Sequence, residues 1–209
     1  ACYPAAALAS GATIVTNARE IAADDYFDGL FTTVLEEGEI VTQVRMPVPE
    51  VANYQKFVQP ASRFALVGVF VAKFAEGVRV AVTGASEEGV FRWSEAEAAL
   101  NGNFSAAALE GLSVEADGMM ADIHGSKAYR AHLIAVLTKR AVAAAAGRAR
   151  ARAGEDRLRR ERGDVELARE HGRVVEPPSR GGGRGEGAPG DHGILRRQRD
   201  QLYVLEKSP

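Results

Sequence analysis

The sequence predicts an α+β fold in which an antiparallel sheet is followed by helices that cover one of its faces. The mostly apolar stretch 65–74 is joined by a short turn, 75–77, to stretch 78–83, whose apolar residues alternate, and this pattern predicts a hairpin. Farther along, stretch 127–146 repeats its apolar residues at helical spacing. From residue 147 onward neither period continues, so an ordered body is expected to precede a different kind of tail.

The first 50 residues predict short elements that belong to a separate part of the fold. The expected elements are a helix already under way at Pro4, a strand at 12–16, a helical turn at 22–27 and a strand at 39–46 that Pro47 ends. A helix already under way at the first residues, and Ala1 in place of Met, point to a fragment. The two strands would then lack partners, so we expect residues 1–47 to be poorly ordered.

The sheet and the helices after it follow from local patterns. The expected strands are 54–59, 65–74, 78–83 and a short segment at 90–92. The expected helices are 95–100, 105–112 and 127–146. Ser94 is expected to cap the first helix, with Glu97 completing a capping box, and Ser126 opens the longest one.

The tail, residues 147–209, differs sharply in composition from the body. It holds half of the 22 glycines, and its basic residues are almost all arginine. Charges at helical spacing make 155–170 a candidate solvated helix, whereas 177–190 is expected to be disordered because it has too little apolar surface to bury. The abrupt change also motivates the hypothesis that the tail is out of frame. Its Arg-Gly character resembles nucleic-acid-binding tails, but no aromatic is interleaved and acidic residues dilute the charge, which argues against that function.

No residue pattern in the chain predicts a catalytic group or a metal site. The single cysteine excludes an internal disulfide, and together with the lack of a signal-peptide pattern it indicates a reducing, cytoplasmic location. No stretch is apolar enough over roughly 18 residues to span a membrane. The four histidines have no partners at metal-ligand spacing. Adjacent acidic pairs point in different directions, so they suit solvated charge better than paired-carboxylate chemistry.

Seven short strings, taken in order, carry a family resemblance. They are YPAAALASGATIVT at 3–16, REI at 19–21, YFDGLFTT at 26–33, EGEIVTQVRMP at 37–47, YQKFVQPASRFALVGV at 54–69, RVAVTGA at 79–85 and YRAHL at 129–133. Together they resemble the C-terminal half of the FAD-binding, or medium, subunit of the carbon monoxide dehydrogenase and xanthine dehydrogenase family of molybdenum hydroxylases.

The resemblance implies a division of the chain into three parts. Residues 1–50 would be the C-terminal remnant of the FAD-binding domain, and residues 51–146 would be the C-terminal domain of the flavoprotein, an antiparallel sheet covered by helices. Residues 147–209 lie outside the resemblance. The implied function is electron transfer from iron–sulfur clusters through FAD to an external acceptor. The implied partners are an iron–sulfur subunit with 2Fe–2S clusters and a molybdenum subunit with molybdopterin, on which the substrate is oxidised.

The resemblance also implies four cofactor-binding residues. Ile40 and Val41 match the family's strand that lays an aliphatic side chain against the flavin ring, and Val41 is the better match. Phe64 matches an aromatic near the ring, and Lys56 is a weaker match. From the residues alone, core packing is the alternative explanation of Ile40, Val41 and Phe64.

The same resemblance implies that this chain does not hold FAD by itself. The family's two glycine-rich pyrophosphate loops have no counterpart here, and Cys2 stands where the family has an acidic residue before Tyr-Pro. We therefore expect an inactive fragment that shows no flavin absorbance when purified alone. Two alternatives remain open: a non-catalytic α+β binding module, and a nucleic-acid-associated protein that acts through the Arg/Gly tail.

Overall fold

The computed structural model describes residues 2–60 and 62–170, with side chains described as far as residue 156. The chain divides after Asp164, and the elements below lie in the first unit except for the end of the last helix. The predicted division into parts 1–50, 51–146 and 147–209 remains a prediction. The expected disorder of 177–190 falls outside the described residues.

The N-terminal part forms a small sheet and two helices. Helix α1 is Cys2–Ser10, followed by strands β1, Thr13–Thr16, and β2, Glu20–Ala22; α2 is Ala23–Tyr26 and β3 is Val41–Arg45. The strands pair antiparallel in the order β2-β1-β3. The expectation that β1 and β3 lack partners is therefore wrong, because β1 pairs with β3 and with β2, a strand the sequence pattern missed.

This part is also packed against the rest of the fold, contrary to the expectation of poor order. Ala5, Ala9 and Ala23 are fully buried. Alanine at these positions lets α1 lie close to the second sheet, where Leu8 and Ala9 pack with Ala81. Burial of these small side chains removes apolar surface from water and stabilises the segment.

The larger sheet is a four-stranded meander. Its strands are β4, Val51–Val58; β5, Ala65–Phe74; β6, Gly77–Ser86; and β7, Gly89–Arg92, and neighbours pair antiparallel in chain order. The predicted hairpin is confirmed, with Phe74 opposite Gly77 across a two-residue turn. The register between β4 and β5 shifts after Phe57, which pairs with Val67, whereas Val58 pairs with Ala65. Leu66 is thus the extra residue of a β-bulge.

Helices cover one face of this sheet, as predicted, and α1 covers part of the other. Helix α3 is Ser94–Gly102, a single 3₁₀ turn spans Ala106–Leu109, and α4 is Lys127–Glu170. The main core joins alternate valines of β5 and β6 to Leu100, Ile134 and Leu137. Helices segregated from an antiparallel sheet define the predicted α+β class, which is confirmed.

Helix α4 begins where predicted and ends much later. The Tyr129 amide donates to Ser126 Oγ over 3.2 Å, so Ser126 caps the helix. The predicted end at Ala146 is wrong, since the helix continues to Glu170. Among the side chains described, which end at residue 156, the last buried one is Ala145. Strong helix formers such as Ala, Arg and Glu favour this continuation, and the helix expected at 155–170 is confirmed.

The capping box expected at α3 is wrong. The N-cap residue is Trp93 and it makes no side-chain cap. The carboxylate of Glu97 instead accepts hydrogen bonds from the Val80 amide at 2.8 Å and from Arg92 Nε at 2.9 Å. Glu97 is buried, so its charge is balanced by the guanidinium beside it. The predicted helix 105–112 is likewise reduced to the 3₁₀ turn.

An ion-pair network joins the N-terminal part to the larger sheet. The carboxylate of Asp24, in α2, accepts from Arg79 of β6 at 2.6 Å and from Arg92 of β7 at 3.1 Å. Arg79 also donates to the Leu8 carbonyl, near the end of α1, at 2.8 Å. Because these contacts span residues far apart in sequence, they hold α1 and α2 against the sheet.

Candidate functional site

An apolar cleft of about 370 Å³ opens between the start of α1, the loop at 27–33 and the ends of β5, β6 and β7. Its apolar side chains are Pro4, Phe27, Leu30, Phe31, Phe64, Val90 and Met120. Polar groups come from Thr32, Thr33 and Thr83, and no lining residue is charged. Such a cleft suits a flat, uncharged group and gives it a few hydroxyl partners.

Two glycines let the 27–33 loop close one side of the cleft. Gly89, at the start of β7, has φ +100°, and a Cβ there would lie 2.5 Å from the Gly29 carbonyl oxygen. Any other residue would push the loop away from β7. On the same loop, Phe31 has 91% of its surface exposed.

Phe64 stands at the rim of the cleft on the turn between β4 and β5. Its side chain is 53% exposed. Arg63, immediately before it, has φ +58°, and the Arg63 carbonyl accepts a hydrogen bond from Lys56 Nζ at 3.1 Å. The Lys56 side chain therefore reaches the turn that carries Phe64.

Tyr54 and Cys2 lie beside Lys56 on the same side of the sheet. Cys2 Sγ is 3.9 Å from Lys56 Nζ. The Tyr54 hydroxyl is buried and has no hydrogen-bond partner among the described residues. Burial, and then the neighbouring Cys2 thiol, raise the pKa of Tyr54 far above its ordinary value. Tyr54 is thus neutral and belongs to the packing between α1 and the sheet.

Ile40 and Val41 lie elsewhere, at the start of β3 in the smaller sheet. They are 63% and 41% exposed, and neither lines the cleft. The backbone of Ile40 is held on both sides by Asn17, whose Oδ1 accepts from the Ile40 amide at 3.0 Å. Core packing, the alternative explanation of Ile40, Val41 and Phe64, is wrong, because all three present apolar surface to solvent.

Glu39 anchors the loop that leads into Ile40. Its carboxylate accepts from Thr16 Oγ1 at 2.7 Å, from Arg19 Nε at 3.0 Å and from the Glu36 amide at 2.9 Å. The hydrogen bond from Arg19 and then those from Glu36 and Thr16 lower the pKa of Glu39 to about 2. This set of donors keeps the carboxylate charged and holds the loop against β1.

The depressed pKa of Glu39 predicts an acid-sensitive contribution to stability. A carboxyl whose pKa falls from 4.5 to about 2 on folding stabilises the fold above pH 4.5 and loses this contribution as the pH falls toward 2. We expect Glu39→Gln to lower the urea midpoint at pH 7 and to remove part of its decline between pH 4.5 and 2. Glu37→Gln, at an exposed neighbour, is the matched control. Equal pH profiles for wild type and Glu39→Gln would contradict the prediction.

Sequence patterns missed several residues of the cleft. The structure adds Phe27, Leu30, Phe31 and Met120 to Phe64. The available signal was the apolar run Leu30–Phe31 inside a loop, because apolar loop residues without a helical or strand period often line a surface site. Their convergence with Phe64 depends on chain segments that are distant in sequence.

Other kinds of site are not evident in the described part of the chain. Within residues 2–60 and 62–170, no group of His, Cys, Asp and Glu side chains comes together as metal ligands would. Over the same residues, no helix combines the length and the apolar character that a membrane crossing needs.

Comparisons with known proteins show which proteins this chain resembles. No protein-family model matches it. The chain is 33% identical over 144 residues to the nicotine 6-hydroxylase medium subunit of Paenarthrobacter nicotinovorans, covering 64% of this chain and 50% of that protein. The structure resembles quinoline 2-oxidoreductase from Pseudomonas putida 86 with a TM-score of 0.59, 26% identity and coverage of 71% of this chain and 57% of that one.

A second solved structure agrees with the first. Carbon monoxide dehydrogenase from Oligotropha carboxidovorans matches with a TM-score of 0.56 and 25% identity, over 68% of this chain and 55% of that one. The chain is thus a relative of the medium subunits of the molybdenum hydroxylases, which confirms the family resemblance. It spans about half the length of the curated relative it matches.

Proposed function

We propose that this chain is the part of an FAD-carrying medium subunit that shields the flavin ring, in a molybdenum-containing hydroxylase or dehydrogenase. The observation that carries the proposal is the uncharged aromatic cleft beside Phe64. The relation to medium subunits supports it.

The residues of the cleft fit one end of FAD better than the other. Apolar and aromatic walls, with threonine hydroxyls at hand, suit a planar isoalloxazine ring. A pyrophosphate needs cations or converging backbone amides, and none of the lining residues is charged. The proposal therefore assigns ring contact to this chain and pyrophosphate binding to other parts of the subunit.

The protein groups would act by packing and by exclusion of water. Phe64 and Phe31 would cover the ring, and Ile40 and Val41 stay predicted contacts from the smaller sheet. Lys56 also stays a predicted cofactor contact. FAD, when bound, would supply the chemistry that takes electrons from iron–sulfur clusters and passes them to an external acceptor. The lining residues of the cleft include no acidic or basic side chain, so we assign substrate oxidation to the molybdenum subunit.

The proposed setting is a complex of several subunits. An iron–sulfur subunit with 2Fe–2S clusters and a molybdenum subunit with molybdopterin would supply the electrons. The designation "medium subunit" of the nicotine hydroxylase relative supports a multi-subunit assembly. A cytoplasmic location remains a prediction.

A flavin titration tests the proposal on the chain itself. We expect the purified chain to carry no flavin, but to quench the fluorescence of added riboflavin and FAD with similar, weak dissociation constants, on the order of 100 µM or more. Similar values are expected because the cleft recognises the ring and not the phosphates. Phe64→Ala should weaken binding of both flavins by about tenfold through loss of aromatic contact.

Phe57→Ala provides the matched control, because Phe57 is also partly exposed on the same sheet but packs on Tyr129 and does not line the cleft. It should leave both dissociation constants unchanged. Absence of saturable quenching by either flavin would refute the proposal and favour a binding module without a flavin role. Retention of stoichiometric FAD through purification would refute the assignment of pyrophosphate binding to other parts of the subunit.

A further inference from the structure

The turn that carries Phe64 adopts a backbone conformation that side-chain-bearing residues avoid. Arg63 has φ +58°, and it is the one non-glycine residue with positive φ in the described part of the chain. The left-handed region is sparsely populated by residues with a Cβ, because the Cβ crowds the backbone. Such a conformation persists only when surrounding contacts hold it.

Three hydrogen bonds within the turn define its path. The Gln59 amide donates to the Phe64 carbonyl at 2.8 Å, and the Arg63 amide donates to the Gln59 carbonyl at 2.8 Å. The Phe64 amide donates to Ser62 Oγ at 3.3 Å. These contacts are all local, so none of them ties the turn to the rest of the sheet beyond the end of β4.

Lys56, on β4, makes a hydrogen bond to the turn from outside it. Its Nζ donates to the Arg63 carbonyl at 3.1 Å. Lys56 lies two residues after Tyr54 on β4, so both side chains lie on the face against which α1 packs. A hydrogen bond from an ammonium group is generally stronger than one between neutral groups.

The charge of Lys56 has no competing ion pair. No carboxylate among the described residues lies within 4.0 Å of its Nζ, whereas Lys73, Lys127 and Lys139 each have one. Its other close contact is Cys2 Sγ at 3.9 Å. The ammonium group therefore contacts the turn and the start of α1. The start of α1 also borders the cleft through Pro4.

We infer that Lys56 is a positioning residue that fixes the Arg63–Phe64 turn and so sets where the Phe64 ring stands at the cleft. Lys56 acts through the Arg63 carbonyl, independently of any direct contact with a flavin. The importance of the Phe64 position rests on the proposed function, but the coupling between Lys56 and the turn does not.

The test uses the full chain with Phe64→Trp as a fluorescent reporter. The natural Trp93 is 3% exposed and serves as a buried reference in the same molecule. Acrylamide, a neutral quencher, reports exposure without responding to the change of charge. In this background, Lys56→Met should raise the quenching constant of the tryptophan at position 64 by about half, because this position is already 53% exposed and the turn opens more often once the charged hydrogen bond is lost.

Limited trypsin digestion gives a second readout without the reporter. Cleavage after Arg63, followed by mass spectrometry, should be about threefold faster in Lys56→Met, since proteolysis follows the population of the open turn. Lys56→Arg should restore the wild-type rate and quenching. Lys73→Met is the matched control, because Lys73 pairs with Glu50 and lies over Phe104, away from the turn.

Each other outcome contradicts the inference. Unchanged quenching and cleavage in Lys56→Met would show that the local hydrogen bonds hold the turn alone. Equal effects of Lys56→Met and Lys73→Met, or exposure of Trp93 together with Trp at position 64, would show a global loss of structure. Because no flavin is present in these measurements, their failure is distinguishable from failure of the proposed function.

Discussion

Replacing Arg130 by methionine is expected to lower the free energy of unfolding by about 3–5 kcal/mol. Arg130 lies near the start of α4 and is 2% exposed. Its guanidinium donates to the Leu66 carbonyl at 2.9 Å and the Gly84 carbonyl at 2.6 Å, and to Asp122 at 2.6 Å. One side chain thus joins α4 to both central strands of the larger sheet.

The large effect follows from the carbonyl groups that would lose their donor. Leu66 is the extra residue of the bulge in β5, so its carbonyl is not part of the regular pairing with β4. Gly84 lies where the pairing of β6 with β7 is interrupted. Methionine would fill much of the volume but satisfy neither oxygen, and an unpaired buried polar group costs about 1–3 kcal/mol. Asp122 is 45% exposed and would be rehydrated at little cost.

Urea unfolding followed by circular dichroism measures the effect. Arg140→Met is the matched control, because Arg140 is an exposed residue of the same helix, and its replacement should change stability by less than about 0.5 kcal/mol. The loss of stability for Arg130→Lys should lie between those of Arg130→Met and Arg140→Met. A single ammonium group cannot replace the several N–H donors of the guanidinium. Similar losses for Arg130→Met and Arg140→Met would show that the carbonyl contacts contribute nothing to stability.

The second large effect is expected for Gly84→Ala, at about 3 kcal/mol or more. Gly84 has φ +77°, and a Cβ there would lie 2.7 Å from the Ala65 carbonyl oxygen and 2.8 Å from that of Leu66. The clash is with backbone, which cannot move aside without breaking the bulge. The left-handed backbone adds a cost of roughly 1–2 kcal/mol for any residue with a Cβ.

Gly111→Ala separates these two causes. Gly111 has the same φ of +77°, but a Cβ there would meet nothing within 4 Å. Gly111→Ala should therefore lower the free energy of unfolding only by the cost of the left-handed backbone, roughly 1–2 kcal/mol. The difference between the two variants in urea midpoint measures the clash, and no difference would rule it out.

Arg130 and Gly84 should also be coupled, because both act on the Leu66 carbonyl. In the double variant we expect the loss to be smaller than the sum of the single losses by about 1 kcal/mol or more. Additive losses would show that the guanidinium and the glycine support the bulge independently. The bulge precedes the β5 core and follows the Phe64 turn, so its integrity matters for the cleft as well as for stability.

Local patterns were sufficient for the elements whose partners are near in sequence. The alternation in β6 and the apolar run of β5 predicted a hairpin, since a two-residue turn brings neighbouring strands together. Ser126 predicted the start of α4 for the same reason, because a cap acts within one turn. The predicted end of α4 was wrong because no side chain from 146 to 156 is buried, whereas residues that favour a helix continue beyond Ala145.

Elements with distant partners were predicted poorly. The pairing of β1 with β3 joins Ile14 to Val44, and strand β2 is too short to show a period of its own. Glu97 had the spacing of a capping residue, but the guanidinium of Arg92 and the backbone amide of Val80 compete for its carboxylate. A tertiary contact of this strength overrides a local cap.

The candidate site shows the same division. The family strings in the sequence led to Ile40, Val41, Lys56 and Phe64 and to the class of flavin-carrying medium subunits. By itself the sequence determined the α+β class, the hairpin and this relation, because they depend on residue order and short-range periods. Tertiary structure alone decided that Phe64 stands exposed at a cleft with Phe31, and that Lys56 reaches the Arg63 carbonyl. The cleft depends on long-range packing of α1 and the 27–33 loop against the sheet, and the Lys56 contact depends on the path of the turn that follows β4. Neither arrangement is encoded by a helical or strand period.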